Sequence, residues 1–488
     1  MIKNTIGVIC DDKRGIKIAS GIAGKGFSTA VYLTGFNTFT GEEQEVVHEA
    51  ASNSDLMLIP DLDSFIDALE MPRKIFMFSL RPDFNDKYLT QVLELLHEGD
   101  ALVNLCDMNY IQAGEIVETQ WNRGVYYLPT GFSRGEISEE AGLSIMPGGV
   151  YESYDAMRSV FIEIAARDEG GFVCAPYIGP AGSGLYTKMV INGLEYALLE
   201  INAEMISLIR QFCSPDNDEI VELLYDVNNT ESQSYFLEMY TDIYSRKDSE
   251  TGVPVIDVVS DRVDYGRSVV WCCDEAFKLG MPFSVINASL ELRFLSQMKG
   301  ERIASSRLVD DVPVVPVNPS GIREFVEELR CAAYLAGLCA LAQCFGLLRT
   351  ASEKYNWDLD MLAIARTMQV NSYTRSRSIN RVIEAYDRHN KLTNLFTDPY
   401  FRKCAYKYSP FLRKTVIRSQ SAGLAIPALS AALQYIDLYR SPKLGSGIIQ
   451  LSRDYVNGTG YERSDYPGVY HGNWEEHEQL LTQSRAEQ

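Results

Sequence analysis

These 488 residues contain few of the features that mark disulfide-rich, metal-binding, nucleic-acid-binding or membrane proteins. The ten cysteines form no CxxC pair and the five histidines stand apart, so we expect neither a disulfide framework nor a metal site. The 66 acidic residues outnumber the 45 basic ones, and a net charge of −21 argues against partners such as nucleic acid or an anionic membrane. No apolar run is long enough to span a bilayer, and the N-terminus lacks the apolar core of a signal peptide. These absences favour a globular, cytoplasmic protein.

The first part of the chain, residues 1–181, alternates short apolar runs with helical patterns. Such alternation is typical of an α/β fold, and the strand-turn-helix-strand order at its start predicts a Rossmann-like domain with a parallel sheet. Strands are predicted at residues 5–10, 28–33, 56–59, 75–78, 101–105 and 125–129, and helices at 17–24 and 88–97.

Alternation ends near residue 180, and residues 182–440 have helical periodicity almost throughout. We expect a large all-α domain there, with helices at 187–213, 216–226, 231–245, 266–279, 283–299, 320–354, 358–371, 377–387 and 420–439. The last segment, 441–488, is rich in Gly, Ser, Tyr and charged residues and has little helical periodicity. It is therefore predicted to be an extended tail whose order depends on a partner surface.

A polar stripe runs along the start of the longest helical pattern, at residues 182–196. Lys188, Asn192 and Glu195 fall at i, i+4 and i+7, which places them on one helical face. A lysine, an amide and a carboxylate on one face suit a base, an orienting group and an acid. The other interpretation of this spacing is a solvated stripe with one Lys–Glu pair.

The turn after the first predicted strand lacks the glycines that let backbone amides approach a pyrophosphate. Cys10 and Asp12 stand where small residues are expected, and only Gly15 remains. Asp11 and Asp12 place negative charge where the phosphates would lie, at a cost of several kcal/mol unless they are paired. The fold is predicted to be Rossmann-like, with a degraded nucleotide loop.

Four stretches resemble motifs of one enzyme family, the 6-phosphogluconate dehydrogenases. Residues 188–196, KMVINGLEY, resemble that family's KMVHNGIEY helix, and residues 130–136, TGFSRGE, resemble its GVSGGE loop. Residues 144–149, SIMPGG, match its SLMPGG turn, and RDY at 453–455 resembles the start of its tail motif. The resemblance spans nearly the full length. It implies oxidative decarboxylation of a phosphorylated sugar acid with NADP, in a homodimer.

The resemblance also assigns roles to residues. It implies that Lys188 is the base and then an acid, that Glu195 is the final proton donor and that Asn192 orients the substrate. The family has a loop with lysines at the positions of residues 263–267, where this chain has none. The resemblance implies that Arg262 or Arg267 supplies the positive charge of those lysines. The substrate-binding residues that it implies are Ser133, Arg134, Gly135, Tyr196, Arg267, Arg293 and Arg453, the last from the second subunit.

The cofactor end departs from the family pattern, so NADP or NAD is possible but disfavoured by the loop. The positions that correspond to the family's cofactor contacts are Cys10, Asp12, Gly15, Arg81 and Asp107. Three functions stay open. They are redox-neutral Lys/Glu chemistry on a phosphorylated hydroxy or keto acid, NADP-dependent oxidative decarboxylation with an unusual cofactor pose, and a catalytically inactive paralogue that binds a sugar phosphate.

Overall fold

The structure is a computed structural model that describes residues 3–34, 55–81, 83–133, 142–308, 312–370 and 372–474. Its contacts divide the chain into two compact units, Met1–Leu433 and Gln434–Gln488. The larger unit contains the sheet and most of the helices. The smaller one, here called the tail unit, is described by itself.

A seven-stranded sheet forms the first part of the larger unit. Its order is β3-β2-β1-β4-β5-β6-β7, and all neighbouring strands are parallel except β7, which runs antiparallel to β6. The order reverses between β1 and β4, which is the switch point of a doubly wound fold. The strands are β1 Ile6–Cys10, β2 Thr29–Leu33, β3 Leu56–Ile59, β4 Lys74–Phe78, β5 Ala101–Asn104, β6 Tyr126–Phe132 and β7 Ile145–Pro147.

Helices cover both faces of this sheet, as expected for strands that are apolar on both sides. Apolar residues of α1 and α5 pack on one face, and those of α2, α3 and α4 pack on the other. The prediction of a Rossmann-like domain is thereby confirmed. These helices are α1 Lys13–Gly24, α2 Leu62–Asp67, α3 Phe84–Leu95, α4 Tyr110–Trp121 and α5 Tyr151–Ile164.

The rest of the larger unit is helical, which confirms the predicted all-α part. Its central helix, α13, is long and apolar enough to cross a membrane, which corrects the expectation that no apolar run has that length. The apolar stretch is wholly buried against neighbours that include α6 and α16. The helices are α6 Ser183–Cys213, α7 Asn217–Asn228, α8 Tyr235–Ser245, α9 Val255–Val258, α10 Arg267–Lys278, α11 Ser284–Gln297, α12 Lys299–Ser305, α13 Ile322–Tyr355, α14 Met361–Gln369, α15 Arg377–Arg388 and α16 Pro399–Ser421. A further helix, α17 Pro427–Tyr439, begins in the larger unit and ends in the tail unit.

Helix α16 corrects the sequence prediction, which placed no helix before residue 420 in this region. The helix is rich in polar residues and contains Pro410, so the helical periodicity of its apolar residues is weak. It forms because Phe401, Tyr408 and Leu412 are buried and the helix packs along α13. The helix predicted at 420–439 begins only at Pro427.

The tail unit also contains a helix, so the prediction of an irregular tail is wrong for α18, Ser446–Asn457. The helix is followed by a short hairpin of β8, Tyr461–Glu462, and β9, Val469–Tyr470. Asp454 holds the two together, since its carboxylate accepts hydrogen bonds from the Gly460 and Gly472 amides and from the indole of Trp474. These three bonds lower the pKa of Asp454 to about 2, the Gly472 amide most of all.

Candidate active site

The start of α6 lies against the sheet at close range, and glycines make this possible. A Cβ on Gly182 would lie 2.0 Å from the carbonyl oxygen of Tyr110, and one on Gly184 would lie 2.1 Å from that of Met146. Gly131, near the end of β6, would bring a Cβ within 2.7 Å of Lys188 Cβ. The glycines therefore hold the first turns of α6 directly beside the carboxyl end of β6.

Lys188, Asn192 and Glu195 do share one face of α6, and this face is buried rather than solvated. Their relative exposures are 2%, 4% and 9%. Lys188 Nζ lies 3.3 Å from Glu195 Oε1, which makes an ion pair inside the molecule. Removing two charges from water is costly, so a buried pair of this kind is a common feature of functional sites.

Polar atoms beside this pair have capacity for a ligand. Asn192 donates a hydrogen bond to the hydroxyl of Ser268, a residue that the sequence analysis did not single out. Asn192 Oδ1 and the Oγ of Ser133 are both buried, and neither has a hydrogen-bond partner among the described residues. Buried polar groups are nearly always paired, so unpaired ones require an explanation such as a missing polar ligand.

Tyr196, which follows Glu195 on α6, and Arg293 of α11 form a second group. The Arg293 guanidinium lies 3.6 Å from the centre of the Tyr196 ring, and it donates a hydrogen bond to the carbonyl of Asp264. The Tyr196 hydroxyl accepts a hydrogen bond from the Gly266 amide at 2.7 Å. Arg267 is exposed and opens α10, whose first turn has no side-chain cap. Cations and an uncapped helix start suit an anionic end of a substrate.

A buried carboxylate, Glu200, lies one turn beyond Tyr196 on the same helix. Burial raises its pKa from 4.5 to about 7, and the nearby Arg293 acts in the opposite direction. No sequence pattern marked Glu200, because its burial depends on helices that are distant in the chain.

A further group of predicted site residues belongs to other segments of the chain. Arg453 is exposed in α18 of the tail unit. Arg134 and Gly135 are outside the described residues. Arg81 and Asp107 are both exposed and follow β4 and β5, on the sheet edge where a nucleotide binds in a doubly wound fold.

The turn between β1 and α1 contains a side-chain cap for its own helix. The Asp12 carboxylate caps α1 and accepts hydrogen bonds from the amides of Arg14 and Gly15, at 2.9 and 3.0 Å. These are amides that a phosphate would use at the start of a helix. Cys10 is fully buried, and a Cβ on Gly15 would lie 2.1 Å from Cys10 Cβ, so the helix sits tightly on the strand.

Comparison with known families agrees with this architecture. Residues 5–179 match the NAD binding domain of 6-phosphogluconate dehydrogenase. Residues 184–474 match the C-terminal domain of 6-phosphogluconate dehydrogenase.

Individual relatives match along almost their whole length. The NADP(+)-dependent, decarboxylating 6-phosphogluconate dehydrogenase of Bacillus subtilis is 33% identical over 474 residues, which cover 97% of this chain and 100% of that protein. An NAD(+)-dependent, decarboxylating enzyme of the same organism is also 33% identical, over 473 residues, with the same coverage. A Plasmodium falciparum 6-phosphogluconate dehydrogenase, solved in its apo form and in complex with NADP+ and with 6-phosphogluconate, has a TM-score of 0.88 at 28% identity and covers 96% of this chain and 100% of its own. This chain belongs to the 6-phosphogluconate dehydrogenase family.

Proposed function

We propose that this chain is an oxidative decarboxylase of a phosphorylated sugar acid such as 6-phosphogluconate, with NADP+ or NAD+ as the class of hydride acceptor. The observation that carries the proposal is the buried pair of Lys188 and Glu195, 3.3 Å apart. The full-length relatives, named as decarboxylating dehydrogenases that depend on NADP+ or NAD+, favour this function over the redox-neutral one.

The pair supplies a base and an acid in one place. A proton that passes from Lys188 to Glu195 leaves a neutral amine and a protonated carboxyl group. The amine takes the proton of the substrate hydroxyl whose carbon is oxidised. The nicotinamide would take the hydride from that carbon. As the resulting 3-keto acid loses carbon dioxide, the Lys188 ammonium returns its proton to the keto oxygen, so that an enediol remains. The protonated Glu195 then delivers a proton to the enediol carbon while Lys188 takes the enol proton.

The polar atoms around the pair orient the substrate. Asn192 and Ser133 contact its carboxylate and hydroxyl groups through buried atoms that have no hydrogen-bond partner among the described residues. Tyr196, Arg293 and Arg267 bind the phosphate, because a guanidinium group and the start of α10 both favour an anion. Arg134 and Gly135 belong to the same substrate loop in this proposal.

We further propose that the active form is a homodimer in which Arg453 of one chain completes the phosphate site of the other. An exposed arginine on a tail is useful for phosphate binding only where the tail reaches a site. Sedimentation velocity should show a dimer. Arg453→Met should weaken substrate binding while the protein remains a dimer. A fully active monomer would contradict this arrangement.

A second candidate, a redox-neutral decarboxylase or isomerase of a phosphorylated keto acid, is favoured by one observation. The Asp12 carboxylate already occupies the amides of Arg14 and Gly15, where a dinucleotide would bind. Lys188 and Glu195 suffice for enolisation or decarboxylation without a nicotinamide.

The test uses the full-length protein with 6-phosphogluconate and either NADP+ or NAD+. We expect reduced nicotinamide and carbon dioxide in equal amounts, and loss of both in Lys188→Ala. Lys354→Ala is the matched control, because Lys354 is an exposed lysine at the end of α13. Carbon dioxide from a 3-keto acid, with no nucleotide reduced under any condition, would instead establish the second candidate. An equally active Lys188→Ala variant would refute the assigned base.

A further inference from the structure

The turn at the switch point of the sheet contains an anion of its own. Asp12 precedes α1, and its Oδ1 atom accepts hydrogen bonds from the amides of Arg14 and Gly15. Its Oδ2 atom lies 3.7 Å from the Arg14 guanidinium. The carboxylate thus binds backbone amides and a cation at once, as a phosphate does at a helix start.

A second carboxylate stands beside the first. Asp11 is buried, and neither of its oxygen atoms has a hydrogen-bond partner among the described residues. Its Oδ2 atom lies 3.7 Å from Nε of Arg81, whose side chain is largely exposed. Burial raises the pKa of Asp11, and the Ser79 hydroxyl opposes this rise. A dinucleotide would therefore bring its phosphates to a turn that already contains two acidic groups.

Three amides at the start of α1, those of Arg14, Gly15 and Ile16, already have partners within the turn. Gly15 sits against the buried Cys10 side chain, and a Cβ at Gly15 would be 2.7 Å from its sulfur. The Ile16 amide is bonded to the Asp12 carbonyl, as in a regular first turn. A phosphate that approaches α1 must compete with the Asp12 side chain for the two amides that it holds.

We propose that Asp12 is an intramolecular competitor for phosphate, so that a dinucleotide binds fully to this domain only after the Asp12 carboxylate leaves the Arg14 and Gly15 amides. Asp12 then sets the affinity for the hydride acceptor. This inference rests on the proposed function only in taking NADP+ or NAD+ as the acceptor class.

Two substitutions separate the parts of this effect. Asp12→Ser keeps a side-chain oxygen that can cap α1 but removes the negative charge, so the domain should still fold. Asp12→Gly removes both the charge and the cap and leaves the two amides free. We expect both variants to bind NADP+ and NAD+ several-fold to about tenfold more tightly than the original chain, since a negative charge at a helix start is worth a factor in that range.

Asp61 provides the matched control. It caps α2 after β3 in the same manner, with its carboxylate 2.8 Å from the Ser64 amide, but lies two strands from β1. Asp61→Ser should leave dinucleotide affinity unchanged. Isothermal titration calorimetry of the full-length protein with NADP+ and NAD+ gives the dissociation constants, and circular dichroism verifies that each variant is folded.

The results decide the inference independently of the catalytic assay. Tighter binding in both folded Asp12 variants, with Asp61→Ser unchanged, supports it. Equal affinity in the original chain and in Asp12→Ser overturns it, and so does an absence of binding in all of them. If the variants bind more tightly but no sample oxidises 6-phosphogluconate, the proposed function fails and the role of Asp12 stands.

Discussion

Separating the two members of the Lys188–Glu195 pair should cost more than removing both. At 3.3 Å and an effective dielectric constant of about 20, their attraction is about 5 kcal/mol, and desolvation of the two charges offsets much of it. Lys188→Met leaves a buried carboxylate, and Glu195→Gln leaves a buried ammonium group. We expect each single variant to lose about 3–5 kcal/mol of unfolding free energy.

The double variant, Lys188→Met with Glu195→Gln, contains neither charge and should recover at least about 2 kcal/mol of the summed loss. Urea unfolding at one fixed protein concentration measures all four proteins, since self-association would otherwise shift the midpoints. The double variant should nevertheless be inactive, which separates stability from catalysis. Additive losses, with no coupling between the two positions, would refute the buried ion pair.

Three further predictions concern other positions. Glu200→Gln should raise the unfolding free energy by about 3 kcal/mol at pH 8 and hardly at all near pH 4.5. Burial raises the folded pKa of Glu200 to about 7, so the carboxyl destabilises the folded state only at a pH where it is ionised in the unfolded chain. A pH-independent effect in urea unfolding would contradict this. Gly182→Ala should lower the unfolding free energy by about 3 kcal/mol or more, because its Cβ would collide with a backbone carbonyl of α4. Gly300→Ala, whose Cβ meets open space, should leave the unfolding free energy unchanged. Arg293→Met should raise KM for a phosphorylated substrate about tenfold or more, with kcat little changed. Arg302, which pairs with Asp261, provides the control, and an equal effect of Arg302→Met would count against a specific phosphate contact of Arg293.

The strands and the long helix of the active site could be predicted because local sequence decides them. Buried parallel strands are continuous apolar runs, and Gly182 and Gly184 mark a place where two backbones meet closely. The spacing of Lys188 and Glu195 determines that they share a face of α6. Spacing alone left open whether that face is solvated, since its burial depends on packing against β6 and α10.

The remaining features depend on tertiary structure. Helix α16 has a polar composition and exists because α13 covers its few apolar side chains. Asp12 was predicted to repel a phosphate, and the sequence did not reveal that its carboxylate is satisfied by the amides of its own helix. Ser268 has no motif of its own and reaches Asn192 only through the packing of α10 on α6.

The central helix α13 has a consequence for how the chain is synthesised. Its apolar stretch is long enough to resemble a membrane segment. One of the helices that cover it, α16, begins only at Pro399, whereas α13 ends at Tyr355. Tyr334 of α13 meets Tyr400 of α16, and Lys414 of α16 meets Glu328 of α13, at distances of 2.8 and 2.5 Å. The face of α13 that α16 covers therefore stays without that cover until the later part of the chain has been synthesised, so the core around α13 can be completed only then.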